Sequence, residues 1–222
     1  AMPVVDNENR LVGIITVDDI VDIIEEETTE DMEKMAAIVP SDKPYMKTGV
    51  FETFKKRIPW LLLLMVSATF TGAIISSFED ALSVCAVLVA YIPMLMDTGG
   101  NCGSQSSTLI IRGIALGEIR FSDLFRVMFK EFRVSLIVGV VLAVANGLRI
   151  YLTYQQAGMA IVIALSLVAT VISAKLLGCI LPMFAKKIGL DPALMASPLI
   201  TTIVDASSIM IYFFIATKVF RL

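Results

Sequence analysis

The chain contains no histidine. That excludes Ser-His and Cys-His nucleophilic catalysis, and zinc sites built on imidazole. Cysteine is scarce too. Cys85, Cys102 and Cys179 are scattered through apolar or glycine-rich surroundings, at no metal-ligand spacing and in no disulfide framework. Residues 1–10 are polar and acidic, so no signal-peptide pattern opens the chain. Low-complexity tracts are also lacking.

Apolar residues are in excess instead. They make up 57% of 222 residues, with mean hydropathy +0.82, against roughly 45–50% in soluble domains. Charge divides the chain: residues 1–57 carry 13 acids and 7 bases, whereas residues 58–222 carry 8 acids and 11 bases. The shift marks a boundary near Ile58 between a short soluble piece and a membrane domain.

Residues 4–15, VVDNENRLVGII, predict two short strands around the turn Asp6-Asn7-Glu8-Asn9. Thr16 stands as a helix N-cap with Asp19 three residues on, an acidic capping box, and Val17, Ile20, Val21, Ile23 and Ile24 give the helix an apolar face. This β–β–α unit reads as the end of a larger domain, too small to fold alone. An acidic run follows over residues 25–33, and Met32, Met35, Ala36 and Ile38 predict a second helix ended by Pro40. Residues 41–49 read as a linker and residues 50–56 as a short basic helix at the membrane surface.

Five spans are expected, at 58–78, 81 to about 112, 134–152, 159–184 and 193–217. The second is expected to be broken by PMLMDTGGNCGSQSSTLIIRG, Pro93 to Gly113. Lys55, Lys56 and Arg57, then Arg112, Arg120, Arg126, Lys130 and Arg133, then Lys186 and Lys187 fall on one side; Glu79, Asp80 and the uncharged residues 153–158 fall on the other. The positive-inside rule places the N-terminus in the cytoplasm and the C-terminus outside.

Two polar anomalies stand out in the membrane domain. Asp205 sits inside SPLITTIVDASSIMIYFFIA, and an aspartate at a span centre costs about 2.5–3.5 kcal/mol, so a function or a partner keeps it there. The bland reading is a salt bridge to Lys175 of the fourth span. The other anomaly is the 93–113 stretch, where Asp97, Gly100, Asn101, Ser104, Gln105 and the following hydroxyls offer oxygen atoms. Oxygen ligands with few carboxylates suit a hard, hydrated cation such as Mg2+. The competing reading is a helix break used for close packing, since small residues favour tight membrane interfaces.

IPMLMDTGGNCGSQSSTLIIRG, LDPALMASPLITTIVDASSIMIY and VVDNENRLVGIITVDDIVDII together resemble, in order and over nearly the whole chain, the MgtE-type magnesium channels. The resemblance implies an all-α polytopic membrane protein with five spans per subunit, preceded by the remnant of a CBS module (1–27) and a connecting plug helix with its linker (28–57), the membrane domain being 58–222. It implies a homodimer in the cytoplasmic membrane. Its pore would be lined by the second and fifth spans, with Asp205 as the charged cation ligand and Asp97, Gly100, Asn101, Ser104, Ser197 and Thr201 beside it. Mg2+ would be the ion, with Mn2+ or Ca2+ in the same site. The partners implied are a second copy, lipid and divalent cations, with no nucleic acid and with ATP only for a complete CBS pair. Asp19, Asp22, Glu27, Glu30 and Asp31 would bind regulatory Mg2+ that holds the plug against the pore. Three positions depart from the family pattern. Ser104 and Ser197 stand where it has asparagines and Asp97 where it has glycine, and these departures bear on selectivity.

Coupled secondary transport is the nearest rival, because broken helices and a midplane acid serve both mechanisms. An intramembrane aspartyl protease is a rival from another class, since Asp97-Thr98-Gly99 matches a D-T-G motif and Asp205 could complete a dyad. The D-T-G loop of such enzymes is β-rich, however, and this one lies in a membrane segment.

Overall fold

Two short strands open the chain, β1 (Met2–Val5) and β2 (Leu11–Ile15), paired antiparallel from Met2 opposite Ile15 to Val5 opposite Leu11. The turn is held by Asp6, whose Oδ1 accepts the backbone N–H groups of Glu8 and Arg10, each at 2.9 Å. The computed structural model describes residues 1–41, 43–78, 86–195 and 197–220, with only the backbone given for 86, 87 and 197. Cys85, Glu79, Asp80, Arg221 and the expected start of the second span lie outside the described residues.

Helix α1 (Val17–Met35) begins with the expected capping box: Asp19 accepts from the Thr16 amide and hydroxyl, and Thr16 accepts from the Asp19 amide. It then runs without a break through the acidic segment, where two helices were expected. The physical reason is local. Thr28 and Thr29 donate their hydroxyls to the carbonyls of Ile24 and Glu25, and no glycine or proline intervenes before Pro40. The helix stops where Ala37 turns left-handed at φ 55°. Its apolar face is uncovered: Val17, Ile20, Val21 and Ile24 are all exposed, as are Leu11, Val12 and Ile14 of β2.

The membrane bundle comprises α2 (Val50–Ser77), α3 (Ile92–Ala115), α4 (Leu124–Tyr154), α5 (Ala157–Lys187) and α6 (Ser197–Phe220). The expected surface helix at 50–56 is the start of α2, which continues through Pro59. Among the described residues four segments are long and apolar enough to cross a membrane, built on α2, α4, α5 and α6. Helix α3 has 24 residues, about 36 Å at 1.5 Å per residue, but its polar side chains keep it out of that set. The count of five spans is therefore not reached by length and composition. Helix α5 lies at the centre, packed on α4, α3 and α6, while α2 packs chiefly on α6. One apolar cluster closes one end of the bundle, with Leu88, Leu95, Ile150, Met159, Ile163, Tyr212 and Phe213. Ile110, Leu124, Cys179 and Met183 close the other.

The glycine-rich stretch is not a break. Gly99, Gly100 and Gly103 all lie within the continuous α3. In a medium without water every unpaired backbone group costs several kcal/mol, so the helical ladder is retained. The glycines serve approach instead. A Cβ on Gly99 would come within 2.8 Å of Ser208 Oγ and 2.9 Å of Thr170 Cγ2, and one on Gly178 of α5 would strike the Gly103 carbonyl oxygen. These glycines pack closely, without the helix break that both readings of the stretch expected.

Candidate cation site

Close packing of one face of α3 decides what its other face presents. Pro93, Asp97, Asn101, Gln105, Thr108 and Arg112 recur every three or four residues and are all exposed, forming one stripe. Asp97 and Asn101 stand one turn apart on α3, as Thr201 and Asp205 do on α6. Both pairs face one cleft of about 380 Å³, lined by Pro93, Met96, Asp97, Gly100, Asn101, Thr201 and Asp205. A Cβ on Gly100 would be 3.0 Å from Thr201 Cγ2, so glycine lets α6 close on α3 at this level.

The polar atoms of the cleft come from two carboxylates, one amide and one hydroxyl. That set matches a hard cation that keeps part of its water shell. The two carboxylates lie within electrostatic reach of each other. Thr201 Oγ1 donates to the Pro198 carbonyl at 2.9 Å, which leaves its lone pairs available to a ligand. Five of the seven expected pore residues thus share one cleft. Ser104 is half-buried one turn further along α3 and does not line it. Ser197 begins α6, and its side chain lies outside the described residues. Among the described residues no three Asp, Glu or Cys side chains gather closely enough to hold a metal ion.

Lys175 does not pair with Asp205, contrary to the salt-bridge reading. Its Nζ lies 3.7 Å from Glu131 Oε2 of α4 and donates to Ser106 Oγ of α3 at 3.2 Å, while Ser106 Oγ donates to Glu131 Oε2 at 2.6 Å. Lys175 is 5% exposed, Glu131 9% and Ser106 1%. Charge and counter-charge are neutralised inside the bundle, with a hydroxyl bridging three helices. Sequence reading missed Glu131, which stands among Arg126, Lys130 and Arg133 in a segment read as a basic flank. The available signal was Lys175 itself, a cation too deep to reach water without an acid.

The five expected regulatory acids all lie on α1, and they divide. Asp22, Glu27 and Glu30 line an open trough of about 640 Å³, together with Glu25, Glu26 and Glu33 and, across it, Pro40, Ser41, Lys43 and Pro44. Asp19 is occupied in the N-cap, where the Thr16 hydroxyl and amide hold its carboxyl below the usual range. Asp31 is instead turned toward the bundle, and burial followed by the Asp191 charge pushes its carboxyl up. Beside it Lys34 reaches both Glu30, at 2.5 Å, and Asp191 in the α5–α6 loop, at 2.7 Å. Met35 packs against Ile111 and Ala193. The end of α1 is thus docked where α3 ends and α6 begins.

Residues 92–215 match the family model MgtE, described as a divalent cation transporter, and residues 1–26 match that of the CBS domain. A magnesium transporter MgtE of Thermus thermophilus is 39% identical over 215 residues, 97% of this chain and 48% of the relative. One from Bacillus subtilis is 40% identical over 218 residues, 98% of this chain and 48% of the relative. A third, from Enterococcus faecalis, is 31% identical over 221 residues, with 48% of its length covered. The chain spans about half the length of these curated relatives. With the family model matched over more than half of its length, the chain belongs to the MgtE divalent cation transporter family.

Proposed function

We propose that two copies of this chain form a Mg2+ channel in the cytoplasmic membrane, its pore lined by α3 and α6, with the N-terminus cytoplasmic and the C-terminus outside. The observation that carries this reading is the outward-facing pair Asp97 and Asn101 of α3 with Asp205 of α6 beside them. Ionisable groups in a bilayer face a bundle interior or a wet cavity, not lipid. Here they face away from their own bundle, which a second copy would convert into an interior. Two Asp205 carboxylates across a two-fold axis would balance one Mg2+, with Asn101, Thr201 and water filling the octahedron. Asp97 adds negative charge beside Asp205, and Mn2+ and Ca2+ would compete for the same ligands. Mg2+ is here the cargo.

The regulatory part of the proposal concerns the trough on α1. Cytoplasmic divalent cations would screen its acids and favour docking of the α1 end against the bundle, closing the path. Its support is the contact of Lys34 and Met35 with the α5–α6 turn. The protease reading has no support left, since Asp97 sits in an α-helix and the family consists of transporters.

Mg2+ uptake by Asp205→Ala, in cells lacking other importers, tests the pore. Uptake falls to background if Asp205 is the ligand, and unchanged uptake would end the assignment. Flux into liposomes without a pH gradient separates a channel from proton-coupled transport: a channel conducts, a coupled carrier does not.

A further inference from the structure

A second cleft lies at the end of the bundle where α3 gives way to α4. Helix α3 stops in a tight turn: Gly117 adopts φ +72°, and the amides of Glu118 and Ile119 both donate to the Gly113 carbonyl, at 2.9 and 3.0 Å. The turn folds Ile119 onto Gly113, where even one Cβ would collide with the isoleucine side chain. The last turns of α5 stand opposite. Between them is a space of about 270 Å³ lined by Ile114, Gly117, Ile119, Arg120, Phe121, Met183 and Lys186. Its floor is apolar and both of its ionisable residues are cations. A third cation is fixed behind one wall, with Lys187 Nζ 4.2 Å from the centre of the Phe121 ring, which stands edge-on to Phe184.

From this geometry we infer that the cleft formed by the α3–α4 turn and the end of α5 binds the headgroup of an anionic phospholipid. Neither Arg120 nor Lys186 forms an ion pair within 4 Å among the described residues. The neighbouring acids do not fill the cleft: Asp123 accepts the backbone N–H of Arg120 at 3.1 Å, Glu118 is not among the residues that line it, and Asp191, whose charge Lys186 feels, is bonded to Lys34. A phosphodiester supplies the missing negative charge, and the guanidinium can grip two of its oxygens.

The surroundings select a lipid over a free anion. Large apolar side chains next to the cleft in sequence are exposed: Leu116, Phe125 and Ile188. Water around them would be unfavourable, whereas acyl chains and the interfacial zone would cover them, with aromatics and cations at headgroup level. The volume falls just below the roughly 300–1,000 Å³ of small-molecule sites. It suits a phosphate and its glycerol, with the chains left outside in the bilayer.

The experiment is thermal unfolding of the purified protein in an uncharged detergent, titrated with short-chain phosphatidylglycerol. Phosphatidylcholine of the same chain length and inorganic phosphate are the parallel arms. The expected result is a midpoint that rises with phosphatidylglycerol and with neither other probe. Arg120→Gln with Lys186→Gln should weaken the response about thirtyfold, roughly 2 kcal/mol at 1.4 kcal/mol per decade. The pair Arg126→Gln with Lys130→Gln, exposed cations of the same end, should leave it in place. An equal rise with inorganic phosphate overturns the lipid assignment, and so does an equal loss in the control pair. Absence of any rise in the unmodified protein overturns the site itself.

Discussion

The bundle holds acids at membrane depth in two settings, and the contrast between them separates structure from transport. Glu131 is enclosed by α3, α4 and α5, where a lysine and a hydroxyl meet it. Asp205 and Asp97 share a cleft that opens outward and, among the described residues, has no cation in its lining. A closed, neutral junction can only hold helices together. An open site with surplus negative charge can bind a cation and let it go. Both settings depend on α3, which presents Ser106 to the junction and Asp97 to the cleft.

Breaking each setting separately is the direct test. Lys175→Met should destabilise the bundle by about 3–5 kcal/mol, because it leaves Glu131 buried and unpaired. The double variant Lys175→Met/Glu131→Met should recover most of that loss, as measured by thermal unfolding in detergent. Uptake should follow stability in both cases. Asp205→Asn is expected to do the opposite. It removes charge from an open cleft, so the unfolding midpoint should hardly move while Mg2+ flux drops at least about tenfold, the equivalent of roughly 1.4 kcal/mol. A large midpoint change with Asp205→Asn would show that the cleft is structural after all.

The same contrast explains what the sequence could and could not disclose. The hairpin, the Thr16–Asp19 cap and the pairing of the 93–113 stretch with Asp205 rest on local chemistry or on an acid in an apolar run, and such signals are short-range. Continuity of α3 was not legible, because glycine signals both a break and a close contact, and only the neighbouring helix tells which. Glu131 was hidden for a similar reason: its flanking arginines are exposed, and which face of α4 turns inward is a property of the packing. The unbroken α1 was misjudged because a run of like charge looks like a boundary, although it costs an exposed helix only a few tenths of a kcal/mol per close pair.

Glycine provides a third comparison. Gly178→Ala should cost about 1–3 kcal/mol, since the methyl group meets backbone oxygen in a junction that cannot widen without moving α3. Gly72 in α2 has nothing within 4 Å of its Cβ position. Gly72→Ala should therefore be neutral, or stabilising by up to about 1 kcal/mol through helix propensity. Equal effects at the two positions would mean that α3 and α5 do not approach as described.

The smallest effect belongs to the contact between α1 and the bundle, where pH gives a two-signed response. Burial opposes ionisation of Asp191, but the Lys34 ammonium and the Ala193 amide outweigh it and hold the carboxyl below its ordinary value. A depressed carboxyl stabilises the docked form above about pH 3.9, its undocked value, and that contribution is lost as pH falls through and below it. Asp31 has the opposite sign. Raised by burial and by Asp191, it takes up a proton in the docked form first, so docking gains as pH falls through its raised value. Amide protection over residues 34–41, corrected for the intrinsic pH dependence of exchange, should thus rise slightly on mild acidification and then fall more steeply below about pH 4. Lys34→Met removes the ammonium that both acids face. At neutral pH it should quicken exchange only about two- to fivefold, matching the roughly 0.5–1 kcal/mol left to a partly exposed pair after screening. With Asp191 no longer depressed, the sharp loss near pH 4 should disappear. If it persists in Lys34→Met, some other carboxylate holds the end of α1 in place.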